Sequence, residues 1–116
     1  MASRLQEIDD LNFETEVLAS KQPFLLDFSA TWCAPCKALA PILESLAEEH
    51  EGHVRFGKLD IDSSPVVAAR LGVRGAPTLV LFRDGAEAAR KLGFSTRQAL
   101  SALLAQGVST SVEARQ

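Results

Sequence analysis

The two cysteines of this 116-residue chain, Cys33 and Cys36, stand where one sequence pattern gives way to another. Residues 24–28 are apolar except for Asp27, which favours a central strand covered on both faces. Beyond the cysteines, apolar side chains between Leu39 and Leu46 recur at helical spacing. A C-x-x-C pair at a strand-to-helix junction indicates an α/β fold and predicts a dithiol redox site.

The start of a helix is a favourable place for a reactive sulfur. The first helical turn leaves backbone N–H groups unpaired and carries about half a positive charge. A thiolate at Cys33 would be stabilised there, and the thiolate is the nucleophile. Cys36 would lie one turn further along the same face. This interpretation requires sulfurs close enough to bond and at least one that a partner can reach.

The cysteine pattern is also compatible with two functions other than a redox pair. The cysteines could be buried structural thiols, or they could bind zinc together with His50 and His53. The predicted helix separates the cysteines from the histidines by about 20 Å. Zinc ligands must all lie about 2.0–2.3 Å from one point. We therefore expect no metal site and expect solvated histidines near the end of the helix.

Composition narrows the function classes. The net charge is −3 and no basic stripe is present, so nothing indicates nucleic acid or an anionic membrane surface as a partner. The longest apolar run, residues 76–82, is too short to span a membrane, and the first ten residues contain no apolar signal core. Without an export signal we expect a cytoplasmic protein. In that reducing compartment a lone cysteine pair is unlikely to be a structural staple.

The remaining patterns predict the order β-α-β-α-β-α-β-β-α and a single domain over residues 1–107. Strands are expected at 4–8, 24–30, 54–61, 78–82 and 87–92, and helices at 11–20, 34–49, 65–72 and from Ser95 or Thr96 to Gly107. Residues 108–116 are expected to be a frayed polar tail. Two βα crossovers predict parallel strand pairs and Asp84-Gly85 predicts an antiparallel hairpin, so the sheet should be mixed.

Details of these elements are also predicted. Asp9 or Asp10 should cap the first helix, with Leu11, Val17 and Leu18 on one face. A serine before Pro65 should cap the short third helix. The six phenylalanines are expected in the core rather than in a groove; they are Phe13, Phe24, Phe28, Phe56, Phe82 and Phe94.

Several motifs together carry a family resemblance. They are W-C-A-P-C-K at 32–37, G-A-P-T at 75–78, Asp27-Phe28, K-L-D-I-D at 58–62, and Gly93. On these motifs the chain resembles thioredoxin over nearly its whole length. The resemblance implies the thioredoxin fold, a central mixed five-stranded sheet flanked by about four helices. It also implies reduction of protein disulfides by dithiol exchange. Ala34 replaces the usual glycine and Ala76 the usual isoleucine or valine.

The resemblance assigns roles to the reacting groups. It implies that Cys33 attacks a client disulfide and that Cys36 resolves the mixed disulfide. Asp27 would lie behind Cys36 and take its proton, and Lys58 on the neighbouring strand would modulate Asp27. A carboxyl buried in an apolar strand has a raised pKa, which suits proton transfer near neutral pH.

Further residues are expected to tune the pair or bind the client. Ala34 and Pro35 lie between the cysteines, and Pro35 has no N–H to donate to the Cys33 sulfur. Weaker thiolate stabilisation should keep the pair a reductant.

By resemblance, Trp32 shields Cys33 and offers an apolar edge to clients. Gly75, Ala76, Pro77 and Gly93 border the client groove. The Ala76–Pro77 bond would be cis, with the Ala76 backbone beside Cys33. The small Ala76 side chain should open that wall slightly.

The resemblance also implies the partners. Clients would be disulfide-containing proteins, and electrons would return from a flavin-dependent thioredoxin reductase that uses NADPH. No cofactor would bind this chain itself, and we expect a monomer. Two other functions are left open: a disulfide oxidase or isomerase, and a binding module with idle thiols.

Overall fold

A computed structural model describes residues 3–113, which form a five-stranded mixed sheet with helices on both faces. The strands are β1 (Gln6–Ile8), β2 (Phe24–Ser29), β3 (Arg55–Asp60), β4 (Thr78–Arg83) and β5 (Ala86–Leu92), in the spatial order β1-β3-β2-β4-β5. β3 runs parallel to both β1 and β2, whereas β4 is antiparallel to β2 and β5. The predicted mixed sheet is confirmed.

Four helical segments cover this sheet: a π-helical turn at Glu14–Leu18, α1 (Ala34–Glu49), α2 (Pro65–Arg70) and α3 (Arg97–Glu113). Pro41 lies inside α1. Within residues 3–113, no helix combines the length and the apolar character that crossing a membrane requires.

Alternation along the strands divides the core into two clusters. On the α1 face, strand side chains such as Leu25 and Leu79 pack with Leu39 of α1 and Leu100 of α3. On the α2 face, the neighbouring positions are buried with the π-helical turn and α2; this cluster includes Phe13, Val17, Phe24, Leu26, Phe28, Val67, Val80 and Phe82. Successive residues of a strand point to opposite faces, so β2 and β4 contribute to both clusters.

The first helix is shorter than the predicted 11–20. The Asp9 carboxylate accepts hydrogen bonds from the backbone N–H groups of Leu11 and Asn12, which forms a turn before the helix begins. Leu11 is 93% exposed whereas Val17 is 1% exposed, so the prediction that these two residues share a face is wrong. Phe13, not Leu11, packs in the core with Val17.

The connection β3-α2-β4 reverses the chain, so that β4 runs antiparallel to β2. α2 has six residues and is about 9 Å long, less than half of the roughly 20 Å that a six-residue strand spans. The chain therefore stays at one end of the sheet and enters β4 in the opposite direction. Thr78, the first residue of β4, pairs with Phe28 near the end of β2. This reversal brings the segment before Thr78 to the cysteine end of the sheet.

Helix ends differ from the predictions in two further places. The N-terminus of α2 is capped by the Asp10 carboxylate, which accepts the N–H groups of Val66 and Val67, and not by Ser64, whose side chain makes no cap bond. The backbone of α3 continues through Gly107 to Glu113, so the predicted end at Gly107 is wrong. A glycine costs a helix about 1 kcal/mol relative to alanine but does not by itself stop it.

Other local predictions have mixed outcomes. Thr96 caps α3, because its Oγ1 accepts the N–H of Ala99. Phe94 is 49% exposed, so its assignment to the core is wrong, while the other five phenylalanines are buried. Residues 114–116 lie outside the described residues, and a domain boundary at 107 stays a prediction.

Candidate active site

The predicted strand-to-helix junction is confirmed at the cysteines. β2 ends at Ser29, and Cys33 is the N-cap of α1 with extended backbone angles, φ −96° and ψ 109°. Pro35 occupies the first turn, where no intrahelical N–H is needed. Cys36 follows one turn into the helix on its buried side.

The two sulfurs are joined in a disulfide, and the Cα atoms of Cys33 and Cys36 are 5.3 Å apart. The N–H of Cys36 donates to the Cys33 sulfur at 3.2 Å. Cys33 thus acts as the cap acceptor of its own helix. When the disulfide is reduced, this N–H and the partial positive charge of the helix start favour the thiolate at Cys33.

The pair is more enclosed than an openly reactive thiol would be. Cys33 is 3% exposed and Cys36 is 4% exposed, and both pack with Ala30 against Ile61 and Ala76. Bonding distance, the first requirement of the sequence interpretation, is met. The second requirement, a sulfur that a partner can reach, is not met in this oxidised form, because both cysteines are buried. Access to the sulfur therefore depends on the side chains that border it.

The zinc alternative fails on geometry. Cys33 caps the start of the 16-residue α1 and His50 caps its end, which separates them by about 24 Å. His50 is partly buried and packs beside Phe56, with its ring Nδ1 2.9 Å from the Leu46 carbonyl oxygen. Within residues 3–113, no group of three acidic, histidine or cysteine side chains is placed to hold a metal ion.

The loop before β4 forms one border of the cysteine pair. The Ala76–Pro77 peptide bond is cis, as the resemblance implied, and the Ala76 carbonyl oxygen lies 3.4 Å from the Cys33 sulfur. The hydroxyl of Thr78 donates to the Gly75 carbonyl at 2.7 Å, which fixes the loop. Gly93 has φ +78° and donates its N–H to the Pro77 carbonyl at 2.8 Å. Gly93 is therefore both a turn glycine and a neighbour of the loop.

Apolar side chains surround this border on the surface. Trp32 is 66% exposed, and its indole Nε1–H donates to Asp62 at 2.7 Å, which fixes one edge of the ring. Leu92 and Phe94, on either side of Gly93, are 70% and 49% exposed. We did not predict a role for Asp62, Leu92 or Phe94. For Leu92 and Phe94, the available sequence signal was their position on either side of Gly93, a residue expected at the groove.

Asp27 lies in the interior at the middle of β2. It is 3% exposed, and its Oδ1 is buried without a hydrogen-bond partner. Burial raises the pKa of Asp27 from its ordinary 3.8 to about 7, and the positive charge of Lys58 opposes the shift. Asp27 and Lys58 are directly paired residues of β2 and β3, so both side chains face α1. The prediction of a buried carboxyl with a raised pKa is confirmed.

A cavity of about 590 Å³ connects these groups. Asp27, Cys36 and Lys58 all line it, between the start of α1 and the adjoining ends of the strands. Lys58 itself is exposed. Through this cavity, solvent and protons can approach Cys36.

Comparison with known proteins agrees with this architecture. The family model for thioredoxin matches residues 4–106. Thioredoxin C-2 of Corynebacterium nephridii is 39% identical over 108 residues, which are 93% of this chain and 100% of the relative. Thioredoxin of Acidithiobacillus ferridurans is 42% identical over 104 residues, 90% of this chain and 96% of the relative. Thioredoxin of Mycobacterium tuberculosis H37Rv is 44% identical over 94 residues, 81% of each. The chain belongs to the thioredoxin family and is a protein-disulfide reductase.

Proposed function

We propose that this protein reduces client disulfides with Cys33 as the attacking and Cys36 as the resolving cysteine. The Cys33 thiolate bonds one client sulfur and the other client sulfur leaves as a thiolate. Cys36 loses its proton, attacks the Cys33 sulfur and releases the second client thiol. Two electrons pass to the client, and the Cys33–Cys36 disulfide remains. The observation that carries this proposal is the bonded pair at the start of α1, with Cys33 as its cap.

Asp27 is proposed as the acceptor of the Cys36 proton. Asp27 and Cys36 line the same cavity, and the buried Asp27 Oδ1 has no other partner. A carboxylate whose pKa is about 7 is a far better base than an ordinary aspartate and is still about half ionised near neutral pH. Lys58 modulates this base, because its charge favours the ionised form of Asp27.

Clients are proposed to approach between Trp32 and the Ala76–Pro77 loop. Trp32 offers exposed aromatic surface, and the Ala76 carbonyl lies beside the Cys33 sulfur. An extended client segment can pair with the backbone at Ala76, as strands do at an open edge. Gly75 and Gly93 shape this border without side chains that would block it.

Ala34 and Pro35 are proposed to tune the reduction potential. Pro35 contributes no N–H to the turn around the Cys33 sulfur, which limits thiolate stabilisation and favours a reductant over an oxidant.

The oxidised pair needs a source of electrons. We propose a thioredoxin reductase that uses a flavin and NADPH, with the chain itself a monomer that binds neither cofactor. The cytoplasm is the proposed compartment, because it is kept reducing. Family membership supports these partners.

An insulin-reduction assay with two cysteine variants tests the mechanism. Cys33→Ser should remove activity, because the attacking thiolate is lost and the remaining thiol of Cys36 is buried. Cys36→Ser should form a mixed disulfide that accumulates, since nothing resolves it. Ser45→Ala, an exposed change on the same helix, is the matched control and should leave the rate unchanged. Full activity of Cys33→Ser would overturn the proposal.

A redox titration separates a reductase from an oxidase. We expect a potential within or below the cytosolic glutathione range of about −220 to −320 mV. A value near the −120 mV of strong oxidases would contradict a reductase. Turnover by a thioredoxin reductase with NADPH, measured in the same preparation, excludes a module with idle thiols.

A further inference from the structure

Three charged or ionisable side chains form a row across three adjacent strands. Glu7 of β1 pairs with Lys58 of β3, and Lys58 pairs in turn with Asp27 of β2. Directly paired residues of parallel strands present their side chains to the same face. The next row, in which Ile8, Leu59 and Phe28 pair, is buried in the α2-face cluster. Glu7, Lys58 and Asp27 therefore all face α1.

The row shares one cavity with the resolving cysteine. Glu7, Lys58 and Asp27 line the 590 Å³ cavity that also reaches Cys36. Glu7 and Lys58 are exposed, whereas Asp27 is buried. The lysine thus stands between a carboxyl at the rim of the cavity and a carboxyl in its interior.

Other ionisable groups also lie around the row. Lys37 and Asp60 line the same cavity, and Asp60 accepts the N–H of Asp62 through its side chain. Glu44 of α1 accepts hydrogen bonds from Ser3 and the Arg4 N–H; despite burial, these bonds lower its pKa, with smaller contributions from the charges of Arg4 and Lys58.

Beyond Asp27, the row continues through the apolar Leu79 to the exposed Lys91 of β5. Within residues 3–113, the Glu7 side chain makes no hydrogen bond or ion pair to another residue. Glu7 is therefore available to attract the Lys58 ammonium.

We infer that Glu7 is a positioning residue for the resolving step, because its carboxylate draws the Lys58 ammonium towards β1 and away from Asp27. This rests on the proposed function, in which the Cys36 thiol proton passes to Asp27. A lysine that leans towards β1 stabilises the Asp27 carboxylate less, which leaves Asp27 the stronger base. Without Glu7, Lys58 is free to approach Asp27 and weaken it.

Titration of Asp27 in the oxidised protein, followed by carboxyl-carbon NMR, tests this inference directly. Glu7→Gln should lower the apparent pKa of Asp27 by clearly more than the roughly 0.3 unit that one charge about 10 Å away exerts directly through water, because the released Lys58 ammonium adds to the shift. Lys58→Gln should raise it. In the Lys58→Gln background, Glu7→Gln should have a smaller effect than in the wild type, because the lysine transmits most of it.

Glu51→Gln is the matched control. Glu51 is an exposed glutamate beyond the far end of α1, where it lines a different cavity. This control removes the same charge beyond the end of α1 that is opposite to Cys36. The inference fails if Glu7→Gln shifts the Asp27 pKa no further than this control. Transmission through Lys58 is excluded if Glu7→Gln shifts the Asp27 pKa equally in the Lys58→Gln background.

A kinetic measurement distinguishes the inference from the proposed function. The pH profile for release of the mixed disulfide should move to lower pH in Glu7→Gln, in step with the NMR titration. If Asp27→Asn leaves that profile unchanged, the proposed role of Asp27 is wrong. If Asp27→Asn alters the profile and Glu7→Gln does not, the role of Asp27 stands and the inference about Glu7 is overturned.

Discussion

The two faces of the sheet are built for different purposes. The α2 face is sealed by aromatic side chains, with Phe13, Phe24, Phe28 and Phe82 at most 2% exposed. The α1 face is equally apolar over much of its area but includes Asp27 and a cavity of about 590 Å³ at the cysteine end. A buried carboxyl destabilises the fold whenever it ionises. Apolar packing on the α2 face therefore stabilises the fold enough for the α1 face to hold a buried proton acceptor.

The largest expected loss of stability comes from opening the closed face. Phe13 is 1% exposed and stacks edge-on against Phe82, with ring centroids 5.6 Å apart. Phe13→Ala should lower the free energy of unfolding by about 3–5 kcal/mol, from lost burial and the cavity left behind. Urea denaturation measures the change. Leu11→Ala, two residues earlier at a 93% exposed position, is the control and should change stability by less than about 0.5 kcal/mol. Equal losses in both variants would contradict the division between faces.

On the α1 face, replacing Asp27 should raise the free energy of unfolding, and only at higher pH. Folded Asp27 keeps its proton up to about pH 7, whereas the unfolded chain loses it near 3.8. Between these values the folded state binds more protons, so its stability falls as pH rises and then levels off above about pH 7. The shift of roughly 3 units corresponds to about 4 kcal/mol.

Asp27→Asn removes this dependence in the oxidised protein. The variant should match the wild type near pH 4 and exceed it by up to about 4 kcal/mol at pH 8. Denaturation curves at several pH values check the slope. A difference between the two proteins that stays constant with pH would show that the carboxyl is ionised without cost.

Close packing on the α2 face predicts a smaller loss at Gly57. A Cβ added there would lie 2.8 Å from two ring atoms of Phe24 and 3.0 Å from the Gln6 carbonyl oxygen. Gly57→Ala should therefore cost about 1–3 kcal/mol through overpacking. Gly75→Ala, where an added Cβ meets nothing within 4 Å, is the control for the extra methyl group in thermal unfolding. If Gly57→Ala leaves the stability unchanged, the Phe24 ring can move aside.

The smallest predicted effect concerns the cap of α2. Asp10→Ala should cost about 1 kcal/mol, because Asp10 accepts the N–H groups of Val66 and Val67. Ser64→Ala should cost less, since the Ser64 side chain makes no cap bond although it immediately precedes the helix. Chemical denaturation of the two variants side by side tests this order. The reverse order would restore the serine cap that the sequence pattern indicated.

Patterns with a fixed local period were the ones that sequence alone could identify. The strand at 24–29, the helix after the cysteines and the cap at Thr96 depend on neighbours along the chain, and the structure confirms them. The site could be predicted because W-C-A-P-C-K and G-A-P-T are specific to one family. Exposure of Phe94 and Leu11 could not be predicted, because a single apolar residue carries no information about whether anything packs over it.

The amino-acid sequence by itself determined the redox chemistry, since two cysteines three residues apart at a helix start suffice for a disulfide there. Only the tertiary structure decided what surrounds that chemistry. The short α2 reversed the chain so that Ala76 meets Cys33, and strand register placed Glu7, Lys58 and Asp27 in one row. The physical reason is that these neighbours lie tens of residues apart in the chain, where position depends on how elements pack and not on local periodicity.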